Sequence, residues 1–207
     1  MRNIKLQIEY DGSRYCGWQV QKKKKSIQGT LEKALRKITG EKIRLIASGR
    51  TDAGVHAVAQ VANFKTSKGI STEKLQKALN GLLPRDISIT GAAEAPLAFH
   101  SRFDASSKVY RYLILNRSFP SALAGGRMFY YPYPLNVALM KKEAGFLLGR
   151  HDFSAFCASK GNKKCAVRTI KNIDVRTMAY LPLAGSRKSD RSVIAITVES
   201  DGFLYNM

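Results

Sequence analysis

Early in the chain the hydrophobic period changes from two residues to the period of a helix, and that switch limits the possible folds more than any other feature. Ile4, Leu6, Ile8 and Tyr10 alternate with Lys5, Gln7 and Glu9, the pattern of a strand with one buried face. Asp11-Gly12 supplies turn chemistry at its end. From Ser26 the spacing lengthens: Ile27, Leu31, Ala34, Leu35 and Ile38 share one helical face, with Ser26 as N-cap and Gly40 where a left-handed C-terminal cap belongs. Strands are predicted at Ile43–Ile46 and Val58–Phe64, and a short one at Ile87–Thr90. Before the last of these lies a second helix, presenting Leu75, Ala78, Leu79 and Leu82 and stopped by Pro84.

Residues 95–107 read as a hinge, after which the alternation of strand and helix begins again. Val109–Leu115 is an aromatic and β-branched strand, and Phe119–Pro134, with its prolines and glycines, a loop. A helix from about Asn136 to Leu148 presents Val137, Met140, Ala144 and Leu147, ending at Gly149. Strands follow at Thr169–Met178 and Val193–Glu199, separated by a Gly185-Ser186-Arg187-Lys188 loop. The expected architecture is α+β, two helix-covered, mainly antiparallel sheet halves, residues 1–104 and 105–207. The last residues, Gly202-Phe203-Leu204-Tyr205-Asn206-Met207, are apolar and aromatic without a terminating turn. They read as a strand or buried segment stopping in mid-course, so a longer polypeptide is expected.

Thirty-five Lys+Arg against 15 Asp+Glu give a formal charge of +20, which favours a polyanionic partner, nucleic acid above all. No apolar run approaches the roughly 18 residues that span a bilayer, and no helix combines a basic face with bulky apolar anchors, so no membrane role is expected. Three cysteines, Cys16, Cys157 and Cys165, are too few and odd in number for a disulfide framework and point to a reducing, cytoplasmic setting. His151, Cys157 and Cys165 lack zinc-ligand spacing, and carboxylates do not cluster as a two-metal site requires. Neither a metal nor a cofactor is expected, since dinucleotide and P-loop fingerprints are also missing.

Chemistry concentrates in Ser48-Gly49-Arg50-Thr51-Asp52-Ala53-Gly54-Val55-His56-Ala57, where two glycines bracket one acidic residue. In extended backbone Arg50 and Asp52 point the same way, and the guanidinium would hold the carboxylate ionised as a nucleophile or base. The plainer alternative is an aspartate capping a turn beside a surface ion pair. Tyr110 and Tyr112 share a strand face opposite Arg111, suited to stacking a splayed base or to filling a core. Lys22 to Lys25, Arg2, Arg14 and Lys160 to Lys164 are candidates for tracking a phosphate backbone, or else solvated faces. His151-Asp152 reads either as a proton relay or as a buried hydrogen-bonded pair shaping a turn.

Taken together these segments resemble the TruA family of tRNA pseudouridine synthases. Gly49-Arg50-Thr51-Asp52-Ala53-Gly54-Val55-His56 is similar to that family's catalytic loop, a highly specific signature. Tyr10-Asp11-Gly12, Gly17-Trp18-Gln19 and Ser26-Ile27-Gln28-Gly29-Thr30-Leu31-Glu32 match its opening. Leu82-Leu83-Pro84, Phe99-His100-Ser101-Arg102-Phe103-Asp104-Ala105, Tyr110-Arg111-Tyr112, His151-Asp152-Phe153-Ser154-Ala155-Phe156 and Val167-Arg168-Thr169-Ile170 follow in the family's order. The one departure is at the end, where family members continue with an arginine-containing helix.

The resemblance implies a pseudouridine-synthase-like fold with a central basic cleft. It also implies isomerisation of uridine at positions 38, 39 and 40 of the tRNA anticodon arm, by a cytoplasmic homodimer without cofactor or metal. By the same carry-over Asp52 is the catalytic carboxylate, Tyr110 stacks on the uracil, Arg50 and Arg168 pair with Asp52, and Leu204 walls the base pocket. Breaking the N1–C1′ bond creates an electron-poor sugar carbon or an acidic C2′ proton, and a fixed carboxylate can trap the first as an ester or remove the second. Three rivals stand beside this reading: a non-catalytic RNA-binding module, a metal-dependent nuclease, and a synthase acting on another RNA.

Overall fold

The alternating N-terminal segment forms β1 (Arg2–Tyr10), the centre of an antiparallel sheet with β2 (Ile46–Ala47), β3 (Ala57–Thr66) and β4 (Ile87–Ala95) in the order β2-β3-β1-β4. The computed structural model describes residues 1–158, 166–180 and 192–207. These divide into two units, Met1–Ala105 and Ser106–Met207. The predicted Gly185-Ser186-Arg187-Lys188 loop, the run Lys160 to Lys164 and Cys165 lie outside the described residues. No described helix is long and apolar enough to cross a membrane.

In the first unit, α1 (Ile27–Thr39) and α2 (Thr72–Leu82) cover one sheet face. Ser26 Oγ accepts the Gly29 N–H at 3.2 Å, and Gly40 closes α1 at φ 72°, where a side chain would be strained. Ile4, Leu6, Ile8, Ile27, Leu31, Leu35, Phe64, Leu75 and Leu79 join one core. Two expectations need correction here. Leu82 is exposed and Leu83 buried, because α2 ends at Leu82 and the chain turns extended before Pro84. The strand predicted at Ile43–Ile46 shrinks to Ile46–Ala47, since Leu45 gives its N–H to Glu32 Oε1 of α1 (2.9 Å) instead of a neighbouring strand.

The opposite sheet face carries a buried polar network. Asn63 Nδ2 donates to Asn3 Oδ1 (2.9 Å), Asn3 Nδ2 donates to the carbonyls of Pro96 and Phe99 (2.9 Å each), and Ser101 gives N–H and O–H to Asn63 Oδ1 (2.9 and 2.7 Å). Both asparagine amides are engaged as donor and acceptor and Ser101 donates twice, so the three tolerate burial as a set. Pro96 to Ser101 of the predicted hinge is thereby tied to β1 and β3.

The second unit is a five-stranded sheet in the order β6-β5-β9-β8-β7, comprising β5 (Lys108–Asn116), β6 (Phe129–Tyr131), β7 (Gly149–Asp152), β8 (Val167–Met178) and β9 (Val193–Ser200). All pairs are antiparallel except β5 with β6. Two strands were not expected: β6 lies inside the predicted loop, and β7 carries His151 and Asp152. Both residues are exposed, and neither bonds the other: His151 Nε2 meets Leu148 O at 2.7 Å and Asp152 Oδ1 accepts from Ser154 N at 2.8 Å. The predicted third helix is shorter, α3 (Val137–Ala144) followed by a 3₁₀ turn, with Val137, Met140 and Ala144 packing on Ile114, Val175 and Ile194.

Candidate active site

The Asp52 loop joins β2 to β3 and is built by three distant pieces of the first unit. Backbone first: Trp18 N–H donates to Thr51 O (2.9 Å), and Val55 N–H closes a turn on Asp52 O (3.2 Å) with Gly54 at φ 80°. Side chains then clamp each end. Tyr10, at the end of β1, bonds Thr51 Oγ1 through its hydroxyl (2.9 Å). Gln60 of β3 donates Nε2–H to Gly49 O (2.5 Å) and accepts from Ser48 Oγ (3.0 Å). His56 Nδ1 lies 3.1 Å from Asp11 Oδ1 and 3.3 Å from Gly12 N.

Two glycines let these pieces approach. A Cβ on Gly12 would stand 2.0 Å from Val55 O, and one on Gly17 (φ 94°) would stand 2.5 Å from Thr51 O. Neither contact is compatible with a side chain. The family-like segments Tyr10-Asp11-Gly12 and Gly17-Trp18 are thus the bed on which the aspartate loop rests. Sequence reasoning found them as motifs without their function. Gln60 was missed altogether, because nothing local marks a glutamine in a strand as a clamp.

Asp52 itself is exposed, and no hydrogen bond or ion pair engages its carboxylate among the described residues. Arg50 is exposed too, and the two form no ion pair with each other in this structure, as weak, water-screened surface attraction allows. Asp52 therefore offers a fixed backbone and an open carboxylate, equipped for nucleophilic or base chemistry.

In the second unit the segment Gly202-Phe203-Leu204 gathers the other predicted residues. Phe203 meets the Tyr110 ring edge-on (centroids 4.7 Å, 78°), and the Gly202 backbone lies so close to Arg168 that a Cβ would be 3.3 Å from Nε. Leu204 is half-buried and its carbonyl accepts from Met207 N (3.3 Å). Asp201 fixes this segment through Thr169, accepting N–H at 3.1 Å and donating its own N–H to Thr169 O at 3.2 Å. Partial burial opposes the Asp201 charge, but the hydrogen bonds from Thr169 and Ser200 and the Arg168 charge outweigh it and hold the carboxyl below its ordinary range. Tyr110 and Tyr112 share one face of β5, both more than a third exposed (38% and 56%), so they are not simple core filling.

The other candidates resolve differently. Arg2 is a structural tether, donating to both Glu94 carboxylate oxygens (3.2 and 2.9 Å) and to the carbonyls of Lys68 and Ile70. Arg14 pairs with Asp86 at 3.0 Å. Arg2 is thus committed to the fold, whereas the Arg14 side chain stays largely exposed beside Asp86. Cys16 and Cys157 are free thiols, and among the described residues no three His, Cys, Asp or Glu side chains gather as metal ligands.

The family model described as tRNA pseudouridine synthase matches residues 7–104 and 144–207. The tRNA pseudouridine synthase A of Caldicellulosiruptor bescii is 48% identical over 207 residues, covering 100% of this chain and 80% of that protein. That of Acetivibrio thermocellus is 45% identical over 207 residues with the same coverage, 100% and 80%. The tRNA pseudouridine synthase A 2 of Clostridium tetani is 46% identical over 208 residues, covering 100% and 79%. The chain belongs to the tRNA pseudouridine synthase family, and it is an isomerase.

Proposed function

We propose that this protein converts uridine to pseudouridine in the anticodon stem-loop of tRNA, at positions 38, 39 and 40, with Asp52 as the catalytic carboxylate and no cofactor. The supporting observation is the Asp52 loop: its backbone is fixed from β1, β3 and the Gly17-Trp18 segment while its carboxylate stays open. That arrangement spends the ordering cost before substrate arrives, which is how positioning contributes to rate. The carboxylate either attacks C1′, forming an ester as the N1–C1′ bond breaks, or takes the C2′ proton. In both routes the freed uracil turns so that C5 bonds C1′, displacing the carboxylate from the ester in the first route or with the proton returned to C2′ in the second; the C5 proton then leaves and N1 takes one up. Tyr110 is assigned to stack on the uracil, Arg50 and Arg168 to bind at the carboxylate, and Leu204 to wall the base. Extruding the target nucleotide costs a few kcal/mol of unstacking, repaid by such contacts. A homodimer working in the cytoplasm completes the reading.

The test is tritium release from [5-³H]uridine-labelled tRNA by the parent and by Asp52→Ala, with tRNA binding measured in parallel. Release by the parent and none by a variant that still binds supports C5 chemistry driven by Asp52. Equal release from both removes Asp52 from catalysis. Binding without release from either leaves an RNA-binding module in place of an enzyme.

A further inference from the structure

The cations that sequence reasoning chose for phosphate contact are partly committed elsewhere, while another set, unremarked in the sequence, surrounds a groove. The groove has a volume of about 520 Å³ and lies between α1 and the segment that leads into β2. Lys33 and Arg36 of α1 form one wall, Lys42 and Arg44 the other, and all four are exposed. Among the described residues none of the four has a carboxylate within ion-pair distance. The floor is rigid and polar: Gln28, 5% exposed, accepts from Val20 N (3.2 Å) and donates to Glu32 Oε1 (2.9 Å) and Leu45 O (3.3 Å). The single lining carboxylate, Glu32, spends Oε1 on Gln28 and on Leu45 N–H (2.9 Å). Four cations thus line the groove against a single carboxylate, whose Oε1 is held by Gln28 and Leu45.

The groove also has a direction. Its lip includes Gln19 and Val20, while Trp18 is bonded to the Asp52 loop through Thr51 O. Val20 is two residues beyond Trp18, at most about 7 Å of chain. The groove's lip is thus continuous along the chain with the segment that holds the Asp52 loop.

We infer that this groove is a backbone subsite for RNA, in which Lys33, Arg36, Lys42 and Arg44 hold phosphodiesters flanking the modified nucleotide. The inference rests on the function proposed above and adds to it a place where the substrate strand is held. Such contacts give affinity and register without base readout.

The test compares Arg36→Gln/Arg44→Gln with a charge-matched control, Lys74→Gln/Lys77→Gln, on the exposed outer face of α2. Binding of an unmodified tRNA transcript is followed by fluorescence anisotropy across a salt series, and tritium release is measured on the same proteins. The groove variant is expected to bind roughly tenfold more weakly at low salt, with the slope of log Kd against log salt reduced by about 2, and to show a raised KM with kcat kept. The control should match the parent. Equal weakening in both variants, or none in the groove variant, overturns the subsite. Because binding is read without turnover, a parent that binds tRNA but releases no tritium defeats the catalytic proposal and leaves the groove result standing on its own.

Discussion

At the scale of single residues, the loop geometry depends on positions that carry no chemistry. Gly17→Ala would place a methyl group 2.5 Å from Thr51 O at a backbone φ of 94°. The loop must yield, and a shift of about 1 Å at a reacting group can cost on the order of 100-fold in rate. We expect kcat to fall by that order while the tRNA Kd moves less than about threefold, read by single-turnover tritium release. Tyr10→Phe deletes only the hydroxyl that bonds Thr51 Oγ1, so a loss of about 1 kcal/mol is expected in urea unfolding. The loop that carries Asp52 stood out in the sequence because its neighbours form an unbroken specific string. Gln60, Tyr10 and His56 as clamps did not, since each acts across a sheet register that no local pattern states. The Glu94 and Asp86 partners of Arg2 and Arg14 were not legible for the same reason, being remote in sequence.

At the scale of elements, β1, α1 and α2 were readable because period, cap and stop are written within a few residues. β6 and β7 were not, being three and four residues long and set among prolines and glycines. Their existence follows from the neighbouring strands β5 and β8. The Asn3–Asn63–Ser101 network is likewise a property of paired strands. Asn63→Leu strands the donors and acceptors of its partners in a dry site and should cost about 1–3 kcal/mol, seen as a lower urea midpoint with an unchanged slope. The junction of β8 with the segment after β9 has a pH signature. Asp201 has a lowered pKa when folded, so its stabilising share is complete above the ordinary aspartate value and is lost as pH falls through the folded value. Asp201→Asn should therefore reduce stability at neutral pH and flatten the acid limb of a pH–Tm profile. Parallel acid limbs in the two proteins would contradict this.

At the scale of the whole molecule, the described residues of the two units form unequal cores. Nineteen buried residues form the core of the first, whereas the largest buried clusters among the described residues of the second hold three each. Unfolding in denaturant should therefore proceed in two steps, the second unit first. Trp18, the sole tryptophan and 2% exposed, reports on the first unit, so its fluorescence should change at a higher denaturant concentration than the far-UV circular dichroism begins to fall. Coincident transitions would show one cooperative structure instead.

The clamps on the Asp52 loop also impose an order in time. Tyr10 belongs to β1, Gln60 to β3, and Trp18 to the segment between β1 and α1, so the loop acquires its shape only after strands some fifty residues apart have paired. Catalytic competence should then be among the last properties to appear during refolding, lagging the recovery of secondary structure. If Asp52 is the catalytic carboxylate, as proposed, a newly made chain carries it long before the loop has its shape, and recovery of activity reports that the sheet has closed.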